Sequence, residues 1–356
     1  MRLFKSFIVE ELSSMFTHKP KLKSFAIPYN NDSNFIETLL DSPALPNVLE
    51  CYGNDGRFGS GRLILIQVKS HSIIPIVQTL SDKGIGFNYL LNSISADEYW
   101  VKRNEIIEYI QLLVDQGVRT LTISHPFIAR FIRDKGIEVE ISSSANQFIC
   151  SPRQAVDLEA IGYDRIMIDE DELRNLKLII SIRKATKYCS IEVLINNACL
   201  FRCPNRLSHQ SFNRNSLSFR ESQKASSFLR NYCIPIMNNN LKAFLDSNWI
   251  RPEDLSCYRS LGVNLFKITG RTMSTQAVMK ALEIYSSEKH EGSILDYVRP
   301  ERMFRGLHNH SWLTNKTVQP YLDHIFSGCD RVNCDKCESI IATITDFIPE
   351  GETFKL

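Results

Sequence analysis

The chain is predicted to fold as a closed parallel α/β barrel of the TIM-like (β/α)8 type. It carries a cysteine-bearing insertion between its last two strands and a small C-terminal appendage. Three observations lead there. Short β-branched runs alternate with longer segments of helical period, which is the pattern of parallel βα units. At least eight such units fit, and eight covered parallel strands close more readily than they spread into a very wide sheet. The turn after the first strand, Pro28-Tyr29-Asn30-Asn31, is not the glycine-rich dinucleotide turn of an open doubly wound sheet.

The eight runs read as strands cover 24–28, 47–51, 86–91, 119–124, 139–144, 165–169, 191–195 and 264–269. A ninth run, 63–68, reads as a hairpin or inserted piece. Helical period appears over 34–40, 73–83, 105–116, 126–135, 152–161, 172–187, 252–261 and 275–286. The second to fifth of these run into Gly84, Gly117, Gly136 and Gly162, where glycine can take the left-handed conformation that ends a helix. Ser151-Pro152 opens the fifth with a capping hydroxyl and a proline suited to the first turn. Residues 1–290 are therefore read as the barrel, including an insertion at 199–247, and 291–356 as the appendage.

Composition narrows the function classes. The 356 residues are 43% hydrophobic and 23% charged, which excludes disordered and fibrous classes. Lys+Arg of 42 against Asp+Glu of 40 leaves a formal charge of +2, so no global field favours a nucleic acid or an acidic membrane. No apolar run approaches the ~18 residues of a spanning helix, so no membrane partner is expected. Glu10 and Glu11 interrupt the apolar start before it can act as a signal peptide, and a cytoplasmic protein is expected.

Ten cysteines are many for that compartment, and their clustering points to metal rather than disulfides. Cys199-x3-Cys203 opens the insertion and Cys233 lies towards its far end. Thiolates suit zinc or an iron–sulfur centre, and this wide spacing leans towards iron–sulfur. The expectation is a [4Fe-4S] cluster on Cys199, Cys203 and Cys233, with zinc as the alternative. Cys257 is the first candidate for a fourth ligand and equally a core helix position. Cys329-x4-Cys334-x2-Cys337 is held in reserve: its last pair has zinc-like spacing, and His324 would complete a zinc site. Cys51, Cys150 and Cys189 stand alone and read as structural.

Loops after parallel strands converge on one face of a barrel, so the polar residues at strand ends form the candidate pocket. Glu50 and Tyr52 follow the second strand, Asn92 the third, His125 the fourth, and Ser144 and Asn146 the fifth. Lys267 and Arg271 flank the end of the eighth, while Arg206 and His209 come from the insertion. Asn92, His125, Arg206, His209, Lys267 and Arg271 are taken as the catalytic and binding candidates. Cations converging there would hold a small carboxylate. No local signature marks a nucleophilic triad.

The segment Val263-Asn-Leu-Phe-Lys267-Ile-Thr-Gly-Arg271 resembles the Lys-Ile-x-Gly-Arg segment of a collagenase-like peptidase family of unknown catalytic type, the thirty-second of its series. Ile141-Ser-Ser-Ser-Ala-Asn-Gln with Gly162-Tyr-Asp-Arg-Ile-Met-Ile, Glu50-Cys-Tyr-Gly53 followed by Phe58 and Arg62, and Leu91-Asn92 are similar to further family segments in the same order. The likeness spans about residues 24 to 290 and implies a barrel. It implies as well an oxygen-independent iron–sulfur hydroxylase or a related modifying enzyme. Some relatives of that kind draw oxygen from prephenate. A peptidase is the alternative, and a non-catalytic subunit paired with a homologous barrel the third reading. The family's cluster cysteines fall in the interval that holds Cys199, Cys203, Cys233 and Cys257, although the Cys-rich Gln-Pro-Cys block is absent. Thr269 stands where the family has an acidic residue.

Overall fold

The computed structural model describes residues 23–61, 73–211, 219–298, 311–346 and 348. Eight strands form a closed barrel in sequence order. They are β1 (Phe25–Pro28), β2 (Val48–Gly53), β3 (Gly86–Leu91), β4 (Thr120–Ile123), β5 (Glu140–Ser143), β6 (Arg165–Met167), β7 (Ser190–Leu194) and β8 (Val263–Lys267). Every pairing is parallel, and β8 closes on β1 through Phe25 opposite Phe266 and Ala26 opposite Lys267. All eight predicted strands are present. The run at 63–68 lies outside the described residues.

The barrel's helices are α1 (Phe35–Leu40), α2 (Ile74–Asp82), α3 (Ala96–Val101), α4 (Arg103–Asp115), α5 (Pro126–Asp134), α6 (Pro152–Ile161) and α7 (Leu176–Ala185). The insertion supplies α8 (Arg206–Ser211), α9 (Phe219–Asn239) and α10 (Leu241–Leu245). Helices α11 (Leu255–Ser260) and α12 (Thr275–Ser287) flank β8, and the tail forms α13 (Asn315–Phe326) and α14 (Asp335–Thr345). Gly84, Gly117, Gly136 and Gly162 all have positive φ, as the helix-end reading requires. Ser151 caps α6 through its side chain, which accepts the Gln154 N–H.

Helix α7 starts later than its hydrophobic period suggests. Residues Glu170–Glu172 form a separate 3-10 turn capped by Asp169, and Asn175 then caps α7 itself. The acidic side chains of that turn are used in the loops above the barrel, so the helix cannot absorb them. Helices α3, α8, α9 and α10 and both tail helices were not apparent in the sequence pattern.

Side-chain alternation along the strands divides the interior in two. Ile27, Cys51, Phe87, Tyr89, Leu121, Ile141, Ile166, Val193 and Phe266 point outward into the main core shared with the helices. Ala26, Tyr52, Leu90 and Leu265 point inward and form a separate small apolar cluster within the lumen. Full burial of each large side chain in the outer layer contributes about 1.5–3 kcal/mol. The tail shares the main apolar core through Val318, Leu322, Ile325 and Ile341, and polar contacts add to it: Tyr321 donates to Asp246 at 2.5 Å and Asn315 donates to both carboxylate oxygens of Glu253 at 2.8 and 2.9 Å. Among the described residues no helix is long and apolar enough to cross a membrane.

Candidate functional site

The rest of the lumen is polar. Arg165 on β6 reaches across to Glu50 on β2 at 2.6 Å and to Glu140 on β5 at 2.8 Å, and its guanidinium lies 3.9 Å from Glu192 on β7. Asn88 and Thr120 donate to Glu50 at 2.9 and 3.0 Å, Thr122 donates to Asn88 at 2.8 Å, and Ser142 donates to Glu192 at 3.0 Å. Buried charge is tolerated only when paired and hydrogen-bonded in this way. Burial alone would raise the Glu50 carboxyl, but Arg165, Asn88 and Lys267 hold it below its ordinary value. Glu140 shifts the other way: burial raises it, Arg165 opposes, and Glu50 and Glu192 add to the rise.

Lys267, the last residue of β8, stands one layer above this network. Its ammonium is 3.5 Å from Glu192 and 4.6 Å from the centre of the Tyr52 ring, and the side chain is 7% exposed. The Tyr52 hydroxyl donates to the Ile268 carbonyl at 2.7 Å, which fixes the ring. Over Lys267 opens a cavity of about 90 Å³ at the C-terminal mouth, walled by Tyr52, Asn92, Asn146, Glu170, Lys267 and Arg271 among others.

The wall is held by contacts between loops. Asn92 accepts the Gly61 N–H at 3.0 Å through its side chain and the Asn146 amide at 2.7 Å through its carbonyl. A Cβ on Gly61 would lie 2.2 Å from Asn146 Nδ2 and 2.7 Å from the Asn92 carbonyl, so only glycine lets these loops approach. Ser144 and Gln147 cap the turn between them reciprocally.

Of the six candidates, Asn92, Lys267 and Arg271 line the cavity; His125, Arg206 and His209 do not. His125 stacks on Phe127 and meets the edge of Tyr99, and burial lowers its pKa. His209 lies 3.3 Å from Ser226 of α9. Arg206 pairs with three carboxylates: Asp169, Glu170 at 3.3 Å and Asp171 at 2.7 Å. Arg206 thereby pins the insertion to the loop after β6. Glu170 was missed as a wall residue. Its signal was the acidic run Asp169-Glu170-Asp171-Glu172 directly at a strand end, where loops reach the barrel mouth.

The cysteines divide differently from the expected order. Cys199 is half-buried and accepts from Asn197 at 3.3 Å, while Asn197 also donates to Glu170 at 2.5 Å. Cys233 on α9 is raised by burial and by nearby Cys203. Cys257 is half-buried on α11. Among the described residues, no three of these four sulfurs come within 4.8 Å of one another, so they do not present a site for one ion. The ligand atoms of His324, Cys329, Cys334 and Cys337 do meet that spacing. His324 Nε2 lies 3.3 Å from the Cys334 sulfur, and the Cys329 and Cys337 sulfurs are 3.6 Å apart. The hydrogen bond with His324 is the largest cause lowering the Cys334 thiol to about 6, whereas burial pushes Cys337 up to about 12. Among the described residues, the reserve cysteines and the histidine read as their partner thus form a group able to hold a metal ion.

The chain is 24% identical over 283 residues to a protein of Methanocaldococcus jannaschii named uncharacterized protease MJ1657, covering 78% of this chain and 82% of that one. Among solved structures it is similar to the U32 peptidase Mk0906, at 14% identity and a TM-score of 0.48, over 72% of this chain and 96% of that one. Residues 62–292 match the model of peptidase family U32, well over half the chain. With a closed eight-stranded barrel and the family's segments in order along it, the chain belongs to peptidase family U32.

Proposed function

We propose that the chain is an enzyme that modifies a small, carboxylate-bearing substrate at the mouth of its barrel. Oxygen-independent hydroxylation or a related modification is the reaction class. The position of Lys267 carries the reading: a buried ammonium at the floor of a cavity, with Arg271 on the wall. A cation in a low-dielectric cleft attracts an acid more strongly than one in water, and two converging cations fix its orientation. Glu170 on the same wall, oriented by Asn197 and Arg206, supplies a carboxylate that can accept a hydrogen bond from a substrate hydroxyl. A concave site enclosed by Tyr52, Asn92, Asn146 and Lys267 suits a small molecule or one projecting group of a larger one.

The hydroxylase reading rests on the family likeness and on Cys199, Cys203 and Cys233 in the insertion near the mouth. Thiolates are the right chemistry for an iron–sulfur centre, and Cys203 and Cys233 lie near each other. The deciding experiment is purification without oxygen, followed by iron and sulfide analysis and calorimetric titration with small carboxylates, prephenate included. Cluster iron with carboxylate binding supports the proposal. Metal-free protein that binds no carboxylate and cleaves unstructured polypeptide supports the peptidase suggested by the relatives' names. Silence until a second barrel chain is added supports a subunit role.

A further inference from the structure

We propose that His324, Cys329, Cys334 and Cys337 form a site for one zinc(II) ion, and that the bound ion fastens the tail onto the loop beside the barrel mouth. The four residues come from three pieces of chain. His324 lies in the last turn of α13, Cys329 in the connecting loop, Cys334 at the cap of α14 and Cys337 in its first turn. Their ligand atoms all lie within 4.8 Å of one another, with closest approaches of 3.3 and 3.6 Å. With bonds of about 2.3 Å to sulfur and about 2.0–2.1 Å to nitrogen, neighbouring ligands of a tetrahedral zinc ion stand at such separations.

The surroundings are built for a thiolate centre. The Arg331 backbone N–H points at the Cys329 sulfur at 3.3 Å, an outer contact that orients a ligand. Gly328, Arg331 and Asn333 all take positive φ, so the loop folds back tightly. For Arg and Asn that conformation costs free energy which a cross-linking ion offsets. Three thiols and an imidazole select a borderline-soft ion over calcium or magnesium. A cubane cluster would hold its ligands farther apart, with iron and sulfide between them, so a single ion fits better.

Among the described residues, the loop that the ion would close contacts the insertion beside the mouth. The Arg331 guanidinium lies 4.0 Å from the centre of the Phe201 ring and donates to the Asp246 carbonyl at 3.0 Å, and the Arg331 carbonyl accepts from Lys242 at 2.8 Å. Phe201 lies between Cys199 and Cys203, and the next residue, Arg202, donates its N–H to Asp171 at 3.1 Å and pairs with Glu172 at 2.5 Å. An ion that fixes the 329–334 loop thereby fixes the stacking partner of the loop after β7. None of this depends on which substrate the cavity takes.

The test uses the full chain. Protein purified under reducing conditions should contain one zinc by mass spectrometry. After chelation, cobalt(II) should restore one equivalent of binding, with the visible bands of a tetrahedral thiolate complex that zinc then erases. Cys334→Ser and His324→Ala should abolish that signal, whereas Cys199→Ser and Cys150→Ser should keep it. Hydrogen exchange in 199–206 should speed up on zinc removal while the barrel strands stay protected. Absence of zinc and of cobalt bands in reduced wild-type protein would overturn the site, as would iron with sulfide in zinc's place or loss of the ion only in Cys199→Ser. Unchanged exchange in 199–206 would overturn the tether.

Discussion

Arg165 on β6 and Glu50 on β2 meet across the lumen at 2.6 Å, with both side chains 2% exposed. Because these strands are not neighbours, the pair spans the barrel rather than running along one sheet surface. It sets the polar floor on which Lys267 and the cavity rest.

Removing one member of that pair leaves a buried charge without its counter-ion. Arg165→Met should therefore lower stability by about 3–5 kcal/mol, measured by urea unfolding. Glu50→Gln should cost less, since Glu140 and Glu192 still face Arg165. A loss under about 1 kcal/mol in Arg165→Met would show that water reaches the lumen.

The same carboxylates set an acid response. Glu50 is held below its unfolded value, so its contribution is complete above about pH 4.3 and is lost as pH falls through its folded value. Glu140, raised in the fold, has the opposite sign: its contribution is present at low pH and fades as pH rises through its raised value. Unfolding midpoints measured from pH 3 to 7 should fall below about pH 4.3, and Glu50→Gln should flatten that fall.

At the mouth, Lys267→Met and Arg271→Met should each weaken binding of a small carboxylate by roughly tenfold to a hundredfold, as expected for loss of a charged hydrogen bond worth about 1.5–3 kcal/mol. Metal content should stay unchanged. Titration calorimetry on both variants checks this, and full affinity in both would remove the anion site.

Arg206→Met should behave differently. Its guanidinium serves Asp169, Glu170 and Asp171, so truncation should loosen the insertion and raise proteolysis within 199–247 while carboxylate affinity changes less than in Lys267→Met. Limited proteolysis beside calorimetry separates the two effects.

Gly61→Ala places a methyl group against Asn146 and the Asn92 carbonyl. Overpacking of this kind costs about 1–3 kcal/mol and displaces the wall. Thermal unfolding should show the loss, and ligand affinity should fall with it.

The barrel itself was legible because strand alternation, helix period and glycine stops are local signals that all agree. Each of the eight strands, and the left-handed glycines at 84, 117, 136 and 162, follow from residues a few positions apart. The position of Lys267 and Arg271 was legible too, since strand order places the end of β8 at the mouth of any such barrel. What the sequence could not determine was pairing between distant segments. Nothing local says that Arg165 meets Glu50 rather than solvent, or that Arg206 is enclosed by three carboxylates from the loop after β6. Spacing favoured Cys199 and Cys203 as the first ligands, yet the compact ion-sized group is the one that α13 and α14 bring together in the tail. Side-chain chemistry is written in the chain, but which atoms share one dry or charged space is decided only when strands, loops and helices are packed together, whether 115 residues apart, as Arg165 and Glu50 are, or 37, as Arg206 and Asp169 are.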